Sequence, residues 1–88
     1  MLTNQQIIRP DGTQEWYRNG KRHRIDGPAI IRPDGHREWY QNHKYHREDG
    51  PAVIWPDGSD KYWLDDTPYE NKYKWGLVIL KMRRKETK

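Results

Sequence analysis

This 88-residue chain contains no cysteine, no phenylalanine and only one serine, Ser59. Without cysteine, disulfides and thiolate metal sites are excluded. The longest uninterrupted apolar run is four residues, at 77–80, far short of the roughly 20 that a membrane-spanning helix needs. The first residues also lack the basic start and apolar run of a secretory signal. These absences lead us to expect one cytoplasmic domain over residues 1–88, in the host cytoplasm if a phage encodes it.

Positive charge is concentrated at the C-terminal end. Residues 1–69 carry ten Lys/Arg against eleven Asp/Glu, whereas residues 70–88 carry seven against two. Hydrophobic residues make up only 32% of the chain, but Trp and Tyr together reach 12%. Such rings suit half-buried positions that are apolar on one side and wet on the other. The composition therefore favours a folded, thin β-layer over a disordered chain.

Three segments of the chain align with an offset of 23 residues. Residues 7–12 read Ile-Ile-Arg-Pro-Asp-Gly, residues 30–35 repeat these letters, and residues 53–58 read Val-Ile-Trp-Pro-Asp-Gly. Pro-Asp-Gly predicts a three-residue hairpin loop, and Asn19-Gly20 predicts a two-residue hairpin turn. We therefore predict a mainly β fold, an antiparallel meander of β-hairpin repeats over residues 7–69.

Turn lengths determine which residues face each other across a hairpin. They place Tyr17 opposite Arg22 and Ile30 opposite Glu38. They also predict three charge pairs across the hairpins, namely Glu15–Arg24, Glu38–Arg47 and Lys61–Glu70.

Alternation along the strands divides the side chains between two faces. The expected core face contains Ile8, Ile31, Ile54, Ala29, Ala52, Trp16, Trp39, Tyr62, His23 and His46. The expected outer face contains Ile7, Ile30, Val53, Arg24 and the candidate binding residues given below.

A helix is expected after the third hairpin, over about residues 68–85, with 86–88 as a basic tail end. Thr67-Pro68-Tyr69-Glu70 matches a capping box with proline in the first turn, although Asn71 could equally cap. Residues Tyr73, Leu77, Leu80 and Arg84 follow at helical spacing. Because an array of hairpins needs a cover over its open end, we predict that this helix is the cap.

The pattern of Pro-Asp-Gly, Glu-Trp-Tyr, Asn-Gly-Lys and Asp-Gly-Pro-Ala resembles a divergent MORN-type repeat. His-Arg-Glu-Asp-Gly-Pro-Ala at residues 46–52 is similar to arrays in small bacterial and bacteriophage proteins. The resemblance covers residues 7–69. It implies a single curved sheet, and it implies roles in protein assembly and dimerisation, or contact with phospholipid.

The residues favour binding over catalysis. Cysteine is absent, the one serine lies in a turn, and Asp11, Asp34 and Asp57 occupy equivalent turn positions. Histidines 23 and 46 also hold equivalent positions, so we expect neither a metal nor a cofactor. Tyr, Trp and Arg are the residue types enriched in protein–protein hot spots. They are concentrated on the outer face, and the candidate protein-binding residues are Arg9, Tyr17, Arg22, Arg32, Tyr40, Tyr45, Arg47, Trp55 and Trp63.

The favoured hypothesis is therefore a non-catalytic module of a phage or bacterium that recognises a host protein or another copy of itself. An alternative is nucleic-acid binding through the basic C-terminal residues, with exposed aromatics stacking on bases. A second alternative is association with an anionic membrane surface. Both alternatives use the same basic residues, which are Lys81, Arg83, Arg84, Lys85 and Lys88.

Overall fold

The structure is a computed structural model and describes residues 4–86. Within this range the chain forms ten short strands followed by one helix. In chain order these elements are β1 (Asn4–Ile8), β2 (Gln14–Arg18), β3 (Lys21–Arg22), β4 (Ile30–Ile31), β5 (Arg37–Glu38), β6 (Tyr40–Gln41), β7 (Lys44–Tyr45), β8 (Val53–Ile54), β9 (Asp60–Leu64), β10 (Thr67–Tyr69) and α1 (Lys72–Glu86). The mainly β architecture with a C-terminal helix agrees with the sequence-based prediction.

Both kinds of turn form as predicted. In each Pro-Asp-Gly loop the aspartate Oδ1 accepts a hydrogen bond from the N–H two residues later, as Asp11 does from Thr13 at 2.8 Å. The glycine that follows adopts a positive φ, +94° at Gly12, which a side chain would strain. Asn19 and Gly20 both have positive φ, 52° and 78°, as a type I′ hairpin turn requires. The local chemistry of these turns therefore sets the hairpins.

Eight strands form one antiparallel sheet with the order β1-β2-β4-β5-β8-β9-β10, and β3 also pairs with β2. The predicted partners Ile30–Glu38 and Tyr17–Arg22 are confirmed. Strands β6 and β7 form a separate two-stranded sheet. The cause is a change of partner at Trp39, whose N–H donates to Ala52 O at 2.7 Å. The predicted single sheet is thus interrupted at this residue.

The three predicted charge pairs across the hairpins are wrong. Glu15 binds Arg9 at 2.6 Å instead of Arg24. Glu38 binds His36 at 2.5 Å instead of Arg47, and Glu70 binds Lys74 at 2.5 Å instead of Lys61.

The first hairpin ends one residue too early for the predicted pairing. His23 N–H still donates to Trp16 O at 3.1 Å, but the N–H of Arg24 donates to Tyr40 O of the neighbouring hairpin. Arg47 likewise donates its N–H to Trp63 O. Both arginines therefore leave their own hairpins before they can face the glutamates.

The predicted division into an inner and an outer face is wrong in part. Ile30, Val53 and Tyr40 were expected on the outer face but are buried. Ile8 was expected in the core but is 67% exposed. The molecule measures 44 × 39 × 17 Å, so apolar side chains on both faces of this thin layer find partners.

Helix α1 begins later than predicted, because Thr67–Tyr69 forms β10 against β9. Proline is tolerated there since β10 is the outermost strand. Asn71 caps the helix, and its Oδ1 accepts from Lys74 N–H at 3.0 Å. The choice between the two caps is therefore settled in favour of Asn71.

The helix covers the third hairpin, as a cap should, but with a different stripe from the predicted one. Trp75 and Ile79 are buried with Leu64, and Tyr62, Tyr69, Val78 and Met82 pack around them. The Trp75 indole N–H also donates to Arg47 O at 3.2 Å. Tyr73, Leu77 and Leu80, which were expected to face the sheet, point away from it and are exposed.

Candidate functional site

Three of the predicted binding residues form an internal stack of rings. Tyr40 and Tyr45 lie 4.5 Å apart between ring centroids, and Tyr45 and Trp63 lie 4.9 Å apart. Burial, together with hydrogen bonds to Tyr45 and Glu38, raises the pKa of the Tyr40 hydroxyl. The Arg22 guanidinium covers the Tyr40 ring at 5.4 Å. These residues hold the two-stranded sheet against its neighbours and present little surface to a partner.

Arg9 and Tyr17 are held by the same carboxylate. Glu15 accepts from Arg9 Nε at 2.6 Å and from the Tyr17 hydroxyl at 2.6 Å. The hydrogen bond from Arg9, followed by that from Tyr17, lowers the pKa of Glu15 to about 2. Glu15 is itself buried. The cluster therefore fastens β2 to the first turn.

Arg47 lies on a different side of the layer from this cluster. Its guanidinium stacks over the Trp39 ring at 3.9 Å and donates to Asp49 at 2.8 Å and to Pro51 O at 3.0 Å. A Cβ at Gly50 would come within 2.8 Å of the guanidinium carbon, so glycine is needed for this seat. Arg24 was expected on the outer face with Arg47, and it occupies the equivalent seat over Trp16, also at 3.9 Å.

Arg32 and Trp55 are the members of the predicted set that remain exposed beside the Pro-Asp-Gly turns. The Trp55 ring meets His36 edge-on, with centroids 6.0 Å apart. The nine predicted binding residues are therefore spread over the ring stack, the Glu15 cluster, the Arg47 seat and this turn edge. The structure does not bring them together as one surface.

The basic residues of the alternative hypotheses lie at the end of α1. Lys81, Arg83 and Arg84 are exposed. Arg83 also lines a groove of about 480 Å³ together with Arg47 and other residues of the Asp-Gly-Pro loops. The side chain of Lys85 and all of Lys88 lie outside the described part of the chain.

The largest exposed apolar feature is one that the sequence-based prediction assigned to the core. Tyr73, Leu77 and Leu80 are 82%, 60% and 55% exposed. They follow one another at positions i, i+4 and i+7, and therefore lie on one side of α1. We call these three residues the α1 stripe. The opposite side of the helix carries Trp75 and Ile79, which are buried against the sheet.

The sequence contains a signal for this arrangement, namely two apolar stripes on one helix. One stripe contains Trp75, Ile79 and Met82, and the other is the α1 stripe. Periodicity alone does not decide which stripe is buried. The decisive contact is the Trp75 ring on Tyr62, 4.9 Å between centroids, which depends on the tertiary fold.

The first hairpin contains one buried polar atom without a partner. His23 is 8% exposed, and its Nδ1 accepts from Asn42 N–H at 3.0 Å. The neutral ring must therefore carry its proton on Nε2, which has no hydrogen-bond partner in the described structure. The equivalent Nε2 of His46 lies 2.7 Å from a Glu48 carboxylate oxygen. Ile25 holds the corresponding position in the first hairpin.

Comparison with known protein families, with curated proteins and with solved structures finds no match to this chain. In residues 4–86, no helix has the length and apolarity to cross a membrane.

Proposed function

We propose that this protein is a non-catalytic binding module that recognises another protein through the α1 stripe. The observation that carries the proposal is the exposure of three large apolar side chains on one side of a helix whose other side is anchored. Contiguous exposed apolar patches mark interaction sites in soluble proteins. Spacing of i, i+4 and i+7 is the pattern of an amphipathic helix that binds in an apolar groove.

The position of the stripe suits a preformed recognition element. Trp75 and Ile79 fix the helix on the sheet, so a partner need not order it on binding. Full burial of one leucine side chain contributes roughly 1.5–3 kcal/mol. Leu77 and Leu80 are each more than half exposed, and Tyr73 adds an aromatic ring of a type common in hot spots.

A membrane surface is the second candidate, because Lys81 and Arg83 are exposed close to the stripe. Binding of an interfacial helix grows with its buried apolar area. The α1 stripe spans only seven residues, about 10 Å along the axis. This short anchor fits a protein groove better than it fits the plane of a bilayer.

Crosslinking from the stripe tests the proposal. A photoreactive amino acid replaces Leu77 in the full chain, and the matched control replaces Ile25, an exposed apolar residue outside the helix. We expect a discrete protein adduct from position 77 and none from position 25. Identical adducts from both positions, or none from either, would contradict the proposal. Adducts that contain lipid, or that nuclease removes, would assign the stripe to a membrane or to nucleic acid instead.

We also propose that the sheet is a scaffold of three 23-residue repeats of the MORN type. Support comes from contacts that recur at this offset. Asn42 N–H donates to His23 Nδ1 at 3.0 Å, and Asp65 N–H donates to His46 Nδ1 at 3.1 Å. The resemblance to small bacterial and phage proteins favours a host protein or a second copy as the partner.

Deletion in phase tests the repeat. Removal of residues 30–52, which is 23 residues, is expected to leave a shorter chain that still unfolds cooperatively. A matched deletion of residues 30–49 shifts the register and is expected to abolish cooperative unfolding. Equal behaviour of the two deletions would rule out the 23-residue unit.

A further inference from the structure

Strand β1 is an outer strand whose apolar residues lack the cover that their counterparts have. Ile7 is 38% exposed and Ile8 is 67% exposed. The residues 23 positions later, Ile30 and Ile31, pair with β2 on one side and β5 on the other. Strand β1 pairs with β2 alone among the described strands. The exposure of Ile7 and Ile8 thus coincides with a missing neighbouring strand.

The cover inside the molecule always comes from the same position of the preceding hairpin. Gln14 and Glu15 of β2 pair with Ile31 and Ile30. The residues 23 positions after Gln14, Arg37 and Glu38 in β5, pair in the same way with β8. A further 23 residues along, this position is occupied by Asp60 and Lys61 in the last hairpin.

The outer edge of β9 is open at these two residues. Asp60 and Lys61 pair with β8 on one side. On the other side β10 pairs only with Tyr62–Leu64, so no described strand lies beside Asp60 and Lys61. A groove of about 280 Å³ runs along this edge and is lined by Asp60, Lys61, Tyr62 and the start of α1. The position that covers β4 and β8 is therefore vacant at the C-terminal end of the sheet.

We propose that a second copy of this chain adds its β1 to this open edge of β9, antiparallel, with Ile8 opposite Asp60 and Ile7 opposite Lys61. The interface repeats the backbone pairing that joins β2 to β4 and β5 to β8 within one chain. It covers Ile7 and Ile8 and satisfies N–H and C=O groups that outer strands otherwise present to water. Because the two surfaces differ, the contact is head-to-tail and can continue to further copies.

This inference does not depend on the proposed function, because it uses the sheet edges and not the α1 stripe. The two surfaces lie on different elements, so substitutions separate them. An Asp at Leu77 is expected to leave self-association unchanged. If it abolished self-association, copies would be meeting through α1 and the edge proposal would be wrong.

Proline scanning of the two edges provides the test. Arg9 N–H donates to Thr13 O inside the first hairpin, so the N–H of the preceding residue, Ile8, faces outward. Ile8→Pro therefore removes an edge donor while leaving the hairpin bonds in place, a position at which strands tolerate proline. Asp60→Pro blocks the other edge, since Ser59 O bonds inside its own hairpin. Ile25→Lys is the control, an exposed isoleucine away from both edges.

Sedimentation equilibrium from about 10 µM to about 1 mM reports the outcome, a range suited to weak contacts. The unchanged chain and Ile25→Lys are expected to rise in average mass from the 10.8 kDa of one chain. Each proline variant alone is expected to stay at one chain, and an equimolar mixture to reach about twice that mass and stop. Ile8→Asp, opposite Asp60, replaces Ile8→Pro if the latter unfolds. A unchanged chain that remains monomeric, or folded variants whose mixture does not associate, would overturn the proposal.

Discussion

Ile25→Glu is expected to stabilise the protein by giving His23 the partner that it lacks. In the second hairpin, Glu48 binds the His46 Nε2 at 2.7 Å, and Ile25 occupies the equivalent place beside His23. A buried donor without a partner costs about 1–3 kcal/mol, and a net hydrogen bond contributes about 0.5–1.5 kcal/mol. Ile25 is 71% exposed, so its removal forfeits little burial. We expect a gain of about 1 kcal/mol, which raises the Tm of a domain this size by about 4–8 °C.

The gain should depend on pH. Burial, followed by the charge of Arg18, lowers the pKa of His23 in the folded chain. As pH falls below the unfolded value of about 6.5, the unfolded chain binds a proton that the folded chain does not, so stability decreases. A carboxylate at position 25 raises the folded pKa and removes this loss. The advantage of Ile25→Glu should therefore be larger at pH 5.5 than at pH 8.

Urea unfolding at both pH values measures the effect, with Ile25→Lys as a control that supplies no acceptor. The double variant Ile25→Glu with His23→Gln isolates the pair, because the gain should then shrink. If Ile25→Glu is no more stable than Ile25→Lys at either pH, the equivalence of the two histidine sites is refuted.

Three further predictions concern the contacts that hold the fold. Trp75→Ala should destabilise the protein by about 3–5 kcal/mol, seen as a lower urea midpoint, whereas an unchanged midpoint would mean that α1 does not cap the sheet. Gly50→Ala should displace the Arg47 guanidinium and cost about 1–3 kcal/mol, with Arg47→Ala as the background in which that cost disappears. Arg9 holds the pKa of Glu15 at about 2, so its stabilisation is present above the unfolded value of about 4.3 and is lost as pH falls towards 2. Arg9→Gln should flatten acid unfolding in this window, and an unaltered acid limb would contradict the ion pair.

The hairpins could be predicted from the sequence because their turns depend on local chemistry. Asp11 and Gly12 carry the Pro-Asp-Gly geometry in their own side-chain and backbone preferences. The register of Ile30 and Glu38 follows from the loop length alone. No knowledge of the rest of the fold is needed for either.

The charge pairs could not be predicted, since they depend on where a strand changes partner. Arg24 leaves its hairpin for Tyr40 of the next one, and this choice is made by backbone bonds between hairpins. Glu15 then takes Arg9, a diagonal neighbour that simple opposite pairing does not consider. The candidate recognition surface was missed for a related reason. Both stripes of α1 have helical spacing, and only the packing of Trp75 on Tyr62 decides between them.

The central claim is that the protein recognises its partner through the α1 stripe. Isothermal titration of the crosslinked partner with Leu77→Ala and with Ile25→Ala tests it most directly. A hot-spot leucine is expected to contribute about 1.4–2.8 kcal/mol, so Leu77→Ala should weaken binding by about 10–100-fold while Ile25→Ala leaves it unchanged. Equal affinities for the two variants, with both chains folded, would contradict the account.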